Sequence, residues 1–274
     1  MTTNGQLQRI LTHVPTISRG EHQARLAARL VQLAAPRIGE RVLDIATGTG
    51  FVAILTARLV GEGGRVVGVD FSAGMLDQAT KAIEAGGVKN VEFIQADAET
   101  LDYAPGSFDL ILCGNALPYM SDVPAALRLW HSLLRPGGRL AFNCWAEHSY
   151  ATGHLLRVIA ARHGIRVAVV GPETGSPERC RAVLAAAGFV RPAVVAESTA
   201  AFVTAGRLET FTEMAVKNKL YGITPSDINP LCDLRDEYIA AIQSPSVTDS
   251  INAEVGAYFV LGHKSSASPL DEHG

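Results

Sequence analysis

From Arg41 onward the chain alternates short β-branched runs with longer stretches of helical periodicity, which restricts it to strand, helix, strand crossovers around a parallel sheet. Arg41 to Ala46 reads as a first strand, Val52 to Leu59 as a helix with Val52, Leu55 and Leu59 on one face, and Arg65 to Val69 as a second strand. The rhythm continues with a helix over Ala73 to Glu84, strands at Val91 to Gln95 and Phe108 to Cys113, and a helix from Val123 to Leu134. Arg135-Pro-Gly-Gly138 is expected to stop that helix, because proline cannot continue it and the glycines allow a direct turn into a fifth strand, Arg139 to Trp145.

A helix over Pro177 to Ala187 with Gly188 as its stop, a strand at Val190 to Ala196 and a last apolar run at Val255 to Leu261 complete the series. Ala146 to Ser176 and Glu197 to Glu254 do not fit a minimal sheet. The second of these carries helical patterns around Phe211 and over Leu234 to Ile242, and long inserts between strands usually carry function. The expected organisation is a helical segment over 1–40, with Leu26, Leu30 and Val31 in phase, then one domain over 41–264 with inserts at about 146–176 and 197–254, then a polar, flexible tail over 265–274.

Charge narrows the partners. Lys and Arg number 24 against 27 Asp and Glu, for a net charge of -3, and no basic block is present, so nucleic acid is not an expected partner. Cys113, Cys144, Cys180 and Cys232 form no C-x-x-C pair. They encode neither a zinc site nor a disulfide framework and read as small buried residues in a reducing cytoplasm. Met1 to Gly20 lacks a signal pattern and charged or glycine residues break every apolar run, so no membrane span is expected. Oligomeric state is not encoded.

Chemistry concentrates where the first strand meets its helix, in Val42-Leu-Asp44-Ile-Ala-Thr47-Gly48-Thr49-Gly50. Glycines there let the backbone turn sharply and let a ligand approach main-chain atoms that a Cβ would block. The string also fits G-x-G-x-x-[G/A], ending in Ala53, as nicotinamide-binding folds use it. Asp70, twenty residues past Gly50, is placed to accept from both hydroxyls of a ribose, or else to cap the helix that begins near Ala73.

The ordered series resembles the class I S-adenosylmethionine-dependent methyltransferases. Val42 to Gly50 matches their first motif and Val66-Val-Gly-Val-Asp70 the second. Phe93-Ile-Gln-Ala-Asp97-Ala98 looks like the adenine-recognition motif, and Leu134 to Arg139 like the turn before strand five. Asp70-Phe71-Ser-Ala-Gly-Met75-Leu and Leu112-Cys-Gly-Asn115-Ala-Leu-Pro-Tyr119 look like the ubiquinone/menaquinone-biosynthesis type and its small-molecule relatives. The resemblance implies an α/β, doubly wound, Rossmann-like sheet of seven mostly parallel strands, with an antiparallel last strand beside the sixth and a helical lid. It implies S-adenosyl-L-methionine as cofactor, S-adenosyl-L-homocysteine as product and a small-molecule acceptor.

Carried over by position, the resemblance implies that Asp44, Thr47 and the Gly48 to Gly50 loop hold the methionine end and Asp70 the ribose, with Phe71 beside it. Met75 packs on the adenine face or is plain core. Asp97 accepts from the adenine amine or caps a turn, the Ala98 backbone helps read the ring, and Asn115 lines the methyl-bearing end.

Methyl transfer from a sulfonium calls for no metal, and the protein chiefly supplies placement. The His-Asp base pair of one O-methyltransferase branch is missing at Leu117-Pro-Tyr119, and Asn115 and Tyr119 stand one residue too far apart for the Asn-Pro-Pro-Tyr motif. His148, Glu147 beside it and Tyr119 remain as base candidates, whereas His131 lies inside a helix and His13, His22, His154 and His163 have no positional argument. Phe211, Met214 and Tyr221 in the second insert suggest a hydrophobic acceptor, or serve only to pack a lid. A nicotinamide oxidoreductase and a non-methylating protein on the same fold, such as a cyclase, stand as rivals.

Overall fold

The β-branched runs become strands covered on both faces, which is why they carry almost no polar alternation. In β1 (Arg41–Ile45) the side chains of Val42, Leu43 and Ile45 are fully buried, and in β2 (Arg65–Asp70) so are Val66 and Val69. The computed structural model describes residues 21–147, 158–164, 172–199, 237, 240–241 and 255–266. Its elements follow in chain order as α1 (Glu21–Ala34), β1, α2 (Phe51–Val60), β2, α3 (Ala73–Gly86), β3 (Val91–Gln95), β4 (Phe108–Gly114), a 3-10 turn (Leu117–Tyr119), α4 (Val123–Leu133), β5 (Leu134–Trp145), α5 (Pro177–Ala186), β6 (Val190–Thr199) and β7 (Val255–His263).

The seven strands lie in the order β3-β2-β1-β4-β5-β7-β6. β1 pairs in parallel with both β2 and β4, so Leu43 stands between Val67 and Ile111, and β2 with β3 and β4 with β5 are parallel too. β7 runs the other way, since Ala146 N–H meets Gly256 O at 3.0 Å while Lys264 N–H meets Gly138 O at 2.9 Å. The chain order reverses between β1 and β4, and in doubly wound sheets ligands bind beyond the carboxyl ends of the strands at that switch.

The seven-stranded, mostly parallel, Rossmann-like fold agrees with the sequence reading, and one of its details differs. β5 starts at Leu134 rather than Arg139: Leu134 already pairs with Phe108, and the register shifts before Leu110 meets Arg139. Arg135-Pro-Gly-Gly138 therefore forms an irregular strand segment rather than a turn that precedes one. The last strand lies between β5 and β6, as expected of an antiparallel strand inserted beside the sixth, and reaches His263, so β6 takes the edge.

Two buried or part-buried cations hold the amino-end framework. Arg139 Nη1 and Nη2 bind the two oxygens of Glu40 at 2.7 and 2.9 Å, and its remaining bonds go to Ala34 O and Ala35 O, the orphan carbonyls at the end of α1. Lys264 Nζ donates to His131 O, Ser132 O and Leu134 O at 3.0, 3.3 and 2.7 Å, capping α4 from the far end of the chain.

By contact density the chain divides into two units, one of Met1–Cys144, Pro177–Val195 and Phe259–Gly274, the other of Trp145–Ser176 and Ala196–Tyr258. Within the second, Arg162 Nη1 and His163 Nε2 each reach a Glu237 oxygen at 2.8 Å. The helix expected around Phe211 and nearly all of that over Leu234 to Ile242 lie outside the described residues, as do Met214, Tyr221 and Cys232. Among the described residues, no helix is long and apolar enough to cross a membrane.

Candidate active site

Three residues with left-handed backbone, Ala46 (φ 50), Gly48 (φ 55) and Gly50 (φ 82), turn the chain from β1 into α2. The two glycines serve different ends. A Cβ on Gly50 would stand 3.0 Å from the Phe93 ring and 3.2 Å from Ala79, so both conformation and crowding require glycine there. A Cβ on Gly48 would meet nothing within 4 Å, so that peptide is open to a ligand's approach. The loop is tied to β2 by Thr47 N–H on Val69 O at 2.8 Å. Sequence reasoning missed Gly68, where a Cβ would lie 2.7 Å from the Phe93 ring and 2.9 Å from Thr47 Oγ1. Its signal was a small residue inside a valine strand.

Two carboxylates converge on this loop. Asp44, 1% exposed, accepts from Thr47 Oγ1 at 2.6 Å. Asp70, 7% exposed, accepts from Gly48 N–H at 2.8 Å on one oxygen and from Ser72 N–H at 2.9 Å on the other. The second bond anchors the residue that starts α3, so Asp70 does help to cap that helix, yet each oxygen retains lone-pair capacity for a further donor.

Desolvation by burial pushes Asp44 up to about 7; the hydrogen bonds from Thr47 and the Ala53 amide resist this, and the charge of Asp70 adds to it. A carboxyl raised from 3.8 binds more protons folded than unfolded between those values, so its contribution to stability is largest at low pH and is lost as pH rises through about 7. Between pH 5 and pH 8 the ligand-free protein is therefore expected to lose melting temperature, and Asp44→Asn to flatten that slope; an equal slope in both proteins would contradict it.

Phe71 and Met75 follow Asp70 with 78% and 43% of their surfaces exposed in the structure, so Met75 is not core. At the end of β3, Asp97 Oδ1 accepts from Glu99 N–H at 2.9 Å in a local turn, while Oδ2 and the Ala98 N–H meet no partner among the described residues. Ala98 O accepts from the indole of Trp130, a fully buried side chain of α4, at 2.9 Å, which fixes this loop from beneath. Glu99 braces it further. Desolvation would raise that carboxyl, but bonds from the amides of Ser121 and Asp122 and the Ser121 hydroxyl outweigh it and hold it below the usual value.

Asn115 follows β4 with φ 57 and bonds to Asn143 and Gln23. Tyr119, 59% exposed, lies in the 3-10 turn, and desolvation pushes its hydroxyl above the ordinary phenol value, so at neutral pH it is a protonated donor. His148 lies outside the described residues. His131 packs edge-on against Phe189 at 4.8 Å, and burial together with Lys264 lowers its pKa, consistent with a packing role. Cys113, Cys144 and Cys180 are all buried, and Cys144 and Cys180 sulfurs touch at 3.8 Å, a contact their spacing did not reveal.

Residues 37–164 match a family model described as a methyltransferase domain. The chain is 37% identical over 118 residues to aklanonic acid methyltransferase DauC of Streptomyces sp. (strain C5), covering 43% of this chain and 54% of that protein. It is 40% identical over 138 residues to the ubiquinone/menaquinone biosynthesis C-methyltransferase UbiE of Shewanella frigidimarina (strain NCIMB 400), covering 50% of this chain and 54% of that one. The chain thus spans about half the length of these curated relatives. The fold is shared with a SAM-dependent methyltransferase from Aquifex aeolicus, with TM-score 0.52 and 19% identity over 71% of this chain and 93% of that one. It is shared as well with the [4+2]-cyclase SpnF, with TM-score 0.56 and 18% identity over 96% and 93%.

Proposed function

We propose that this chain, whose residues 37–164 match a methyltransferase-domain model, is a class I enzyme of the small-molecule type that moves a methyl group from S-adenosylmethionine to a small, hydrophobic organic acceptor. The observation that carries the reading is Asp70 at the carboxyl end of β2. Its carboxylate braces the open Gly48 peptide and stands beside the exposed apolar pair Phe71 and Met75. The residues suit an adenosyl amino acid. A buried acid at Asp44 suits an ammonium, Asp70 suits vicinal hydroxyls, Phe71 and Met75 suit a flat ring, and Asp97 Oδ2 with the Ala98 N–H suits a purine edge.

When bound, the cofactor supplies a sulfonium methyl whose leaving group is a neutral thioether. The chain's share is placement: the loop and both acids hold the donor rigidly, and an acceptor fixed in line at about 3 to 3.5 Å gains most of the rate available from orientation. For an acceptor that must lose a proton, His148 is the proposed base and Tyr119 a hydrogen-bond donor. Asp44 near half-protonation at pH 7 gives a direct signature. A cationic ammonium beside it favours the ionised form, so binding at pH 7 is expected to release a proton, visible as a calorimetric heat that depends on the buffer.

The apolar acceptor is suggested by Phe211, Met214 and Tyr221 in the sequence of the second insert and by the names of the relatives, which place them on aklanonic acid and in ubiquinone/menaquinone biosynthesis. Incubation with S-adenosylmethionine and a panel of aromatic, isoprenoid and polar amine acceptors tests it. S-adenosylhomocysteine formed in step with loss of an aromatic or isoprenoid acceptor is the expected result, and turnover confined to polar amines overturns the hydrophobic assignment. The shared fold with a [4+2]-cyclase supports a second reading, a bound cofactor without transfer. Product formed with no S-adenosylhomocysteine would favour it.

A further inference from the structure

Near the ends of β4 and β5 two amides pair, Asn115 and an asparagine of β5 that no motif marks. Asn143 stands on β5 opposite Gly114 and is 1% exposed. Its Oδ1 accepts from the Asn115 main-chain N–H at 3.2 Å, and its Nδ2 donates back to Asn115 Oδ1. A main-chain N–H requires an acceptor, so it decides which way the Asn143 amide faces, and the returning bond then decides how the Asn115 amide faces. Asn115 Nδ2 donates onward to Gln23 Oε1, in the first turn of α1, at 3.0 Å. Three amides from three elements form one directional chain.

The arrangement is costly for a residue that only fills space. Asn143 sits in a strand whose neighbours Leu140, Ala141, Phe142 and Cys144 are all fully buried, and an apolar side chain would occupy its place without the desolvation of an amide. Asn115 takes the left-handed region, which asparagine tolerates better than most side chains and which turns the chain sharply after β4. Both features lie at the carboxyl edge of the sheet, Asn115 at the end of β4, which pairs with the strand that carries Asp44, and Asn143 on β5 beside it.

We infer that Asn143 and Gln23 are positioning residues that orient the Asn115 amide toward the sulfur end of the bound cofactor; the inference rests on the methyltransferase reading. With one N–H given to Gln23 and one Oδ1 lone pair used by Asn143, Asn115 retains one donor and one acceptor in fixed directions. α1 thereby reaches the site through the Gln23 side chain.

Calorimetric titration of the full chain with S-adenosylhomocysteine tests this, the neutral thioether being chosen so that a new carboxylate nearby does not attract a sulfonium. Asn143→Asp keeps shape and acceptor. Ionised, it cannot donate to Asn115 Oδ1 and repels it; protonated, it donates again. Between pH 5 and pH 8.5 Asp44 on β1, at about 7, titrates in both proteins, while Cys113 on β4, at about 12, and Tyr119, raised by burial, stay protonated, so the readout is the ratio of variant to wild-type affinity.

Asn143→Asp is expected to bind about tenfold more weakly than wild type at pH 8.5 and to approach it as pH falls toward 5, whereas Asn143→Ala stays weaker at every pH. Gln23→Glu, which keeps the acceptor, is expected within about twofold of wild type and Gln23→Leu about threefold weaker. A ratio for Asn143→Asp that ignores pH overturns the inference. Should that variant not fold, equal affinity of Gln23→Leu and wild type overturns it instead. Absence of binding by wild type overturns the methyltransferase reading itself, a result distinct from either.

Discussion

Asp70→Ala is expected to weaken S-adenosylmethionine binding about a hundredfold while the chain stays folded, as calorimetry beside circular dichroism would show. The size follows from what the carboxylate does. It is 7% exposed, it holds the Gly48 and Ser72 amides at 2.8 and 2.9 Å, and in the proposed site it accepts from ribose hydroxyls as well. Hydrogen bonds to a charged group contribute about 1.5 to 3 kcal/mol each, so losing even one ligand bond and the brace on Gly48 reaches a hundredfold. The global fold survives because the loop is also tied through Thr47 to Val69. Removing the charge also lowers Asp44 from about 7, so Asp70→Asn should shift the pH at which binding releases its proton. Affinity unchanged within twofold would remove Asp70 from the site.

The largest loss of stability is expected at the other end of the strands. Arg139→Met leaves Glu40, 5% exposed, without its bidentate partner and leaves Ala34 O and Ala35 O without donors. Breaking one side of a buried pair costs about 3 to 5 kcal/mol, equivalent to a melting temperature lower by roughly 6 to 20 °C for a chain of this size. The double variant Glu40→Leu with Arg139→Met should recover most of it, because the desolvated charge goes with its partner. Below the lowered transition, cofactor affinity is expected to match wild type, since Glu40 precedes β1 and Arg139 stands beside Leu110 near the start of β4, away from the loop after β1. A melting shift under about 2 °C for the single variant would contradict the structure.

The difference between these two residues shows what a sequence makes legible. Asp70 stands out because strand, spacing and neighbouring motif all point to one position, and the structure puts it at the end of β2 against the glycine loop. Periodicity located the strands, the onset of β5 apart, to within a few residues, most plainly the covered central ones, which must be apolar throughout. The Arg139 to Glu40 pair joins residues 99 apart, and Lys264 to His131 residues 133 apart, so no local pattern announces either. Asn143 was hidden for the same reason, as one polar residue in a hydrophobic strand whose partner lies 28 positions earlier. The onset of β5 was misplaced because proline and glycine signal a stop in isolation, whereas here the pairing of Leu134 with Phe108 overrides that local tendency. Met75 could be core or ring contact on periodicity alone, and its exposure decides against core.

The place of β7 sets the sequence of assembly. Because the last of these seven strands in chain order is wedged between β5 and β6, β6 has no neighbour to dock on until residues 255–263 arrive. A nascent chain can close β3 through β5 early, but must hold α5 and β6 in waiting across the whole second insert. Sheet completion is then a late, long-range step of the kind that slows folding and leaves an edge open meanwhile, and a chain cut before residue 255 should be prone to stick to its own kind.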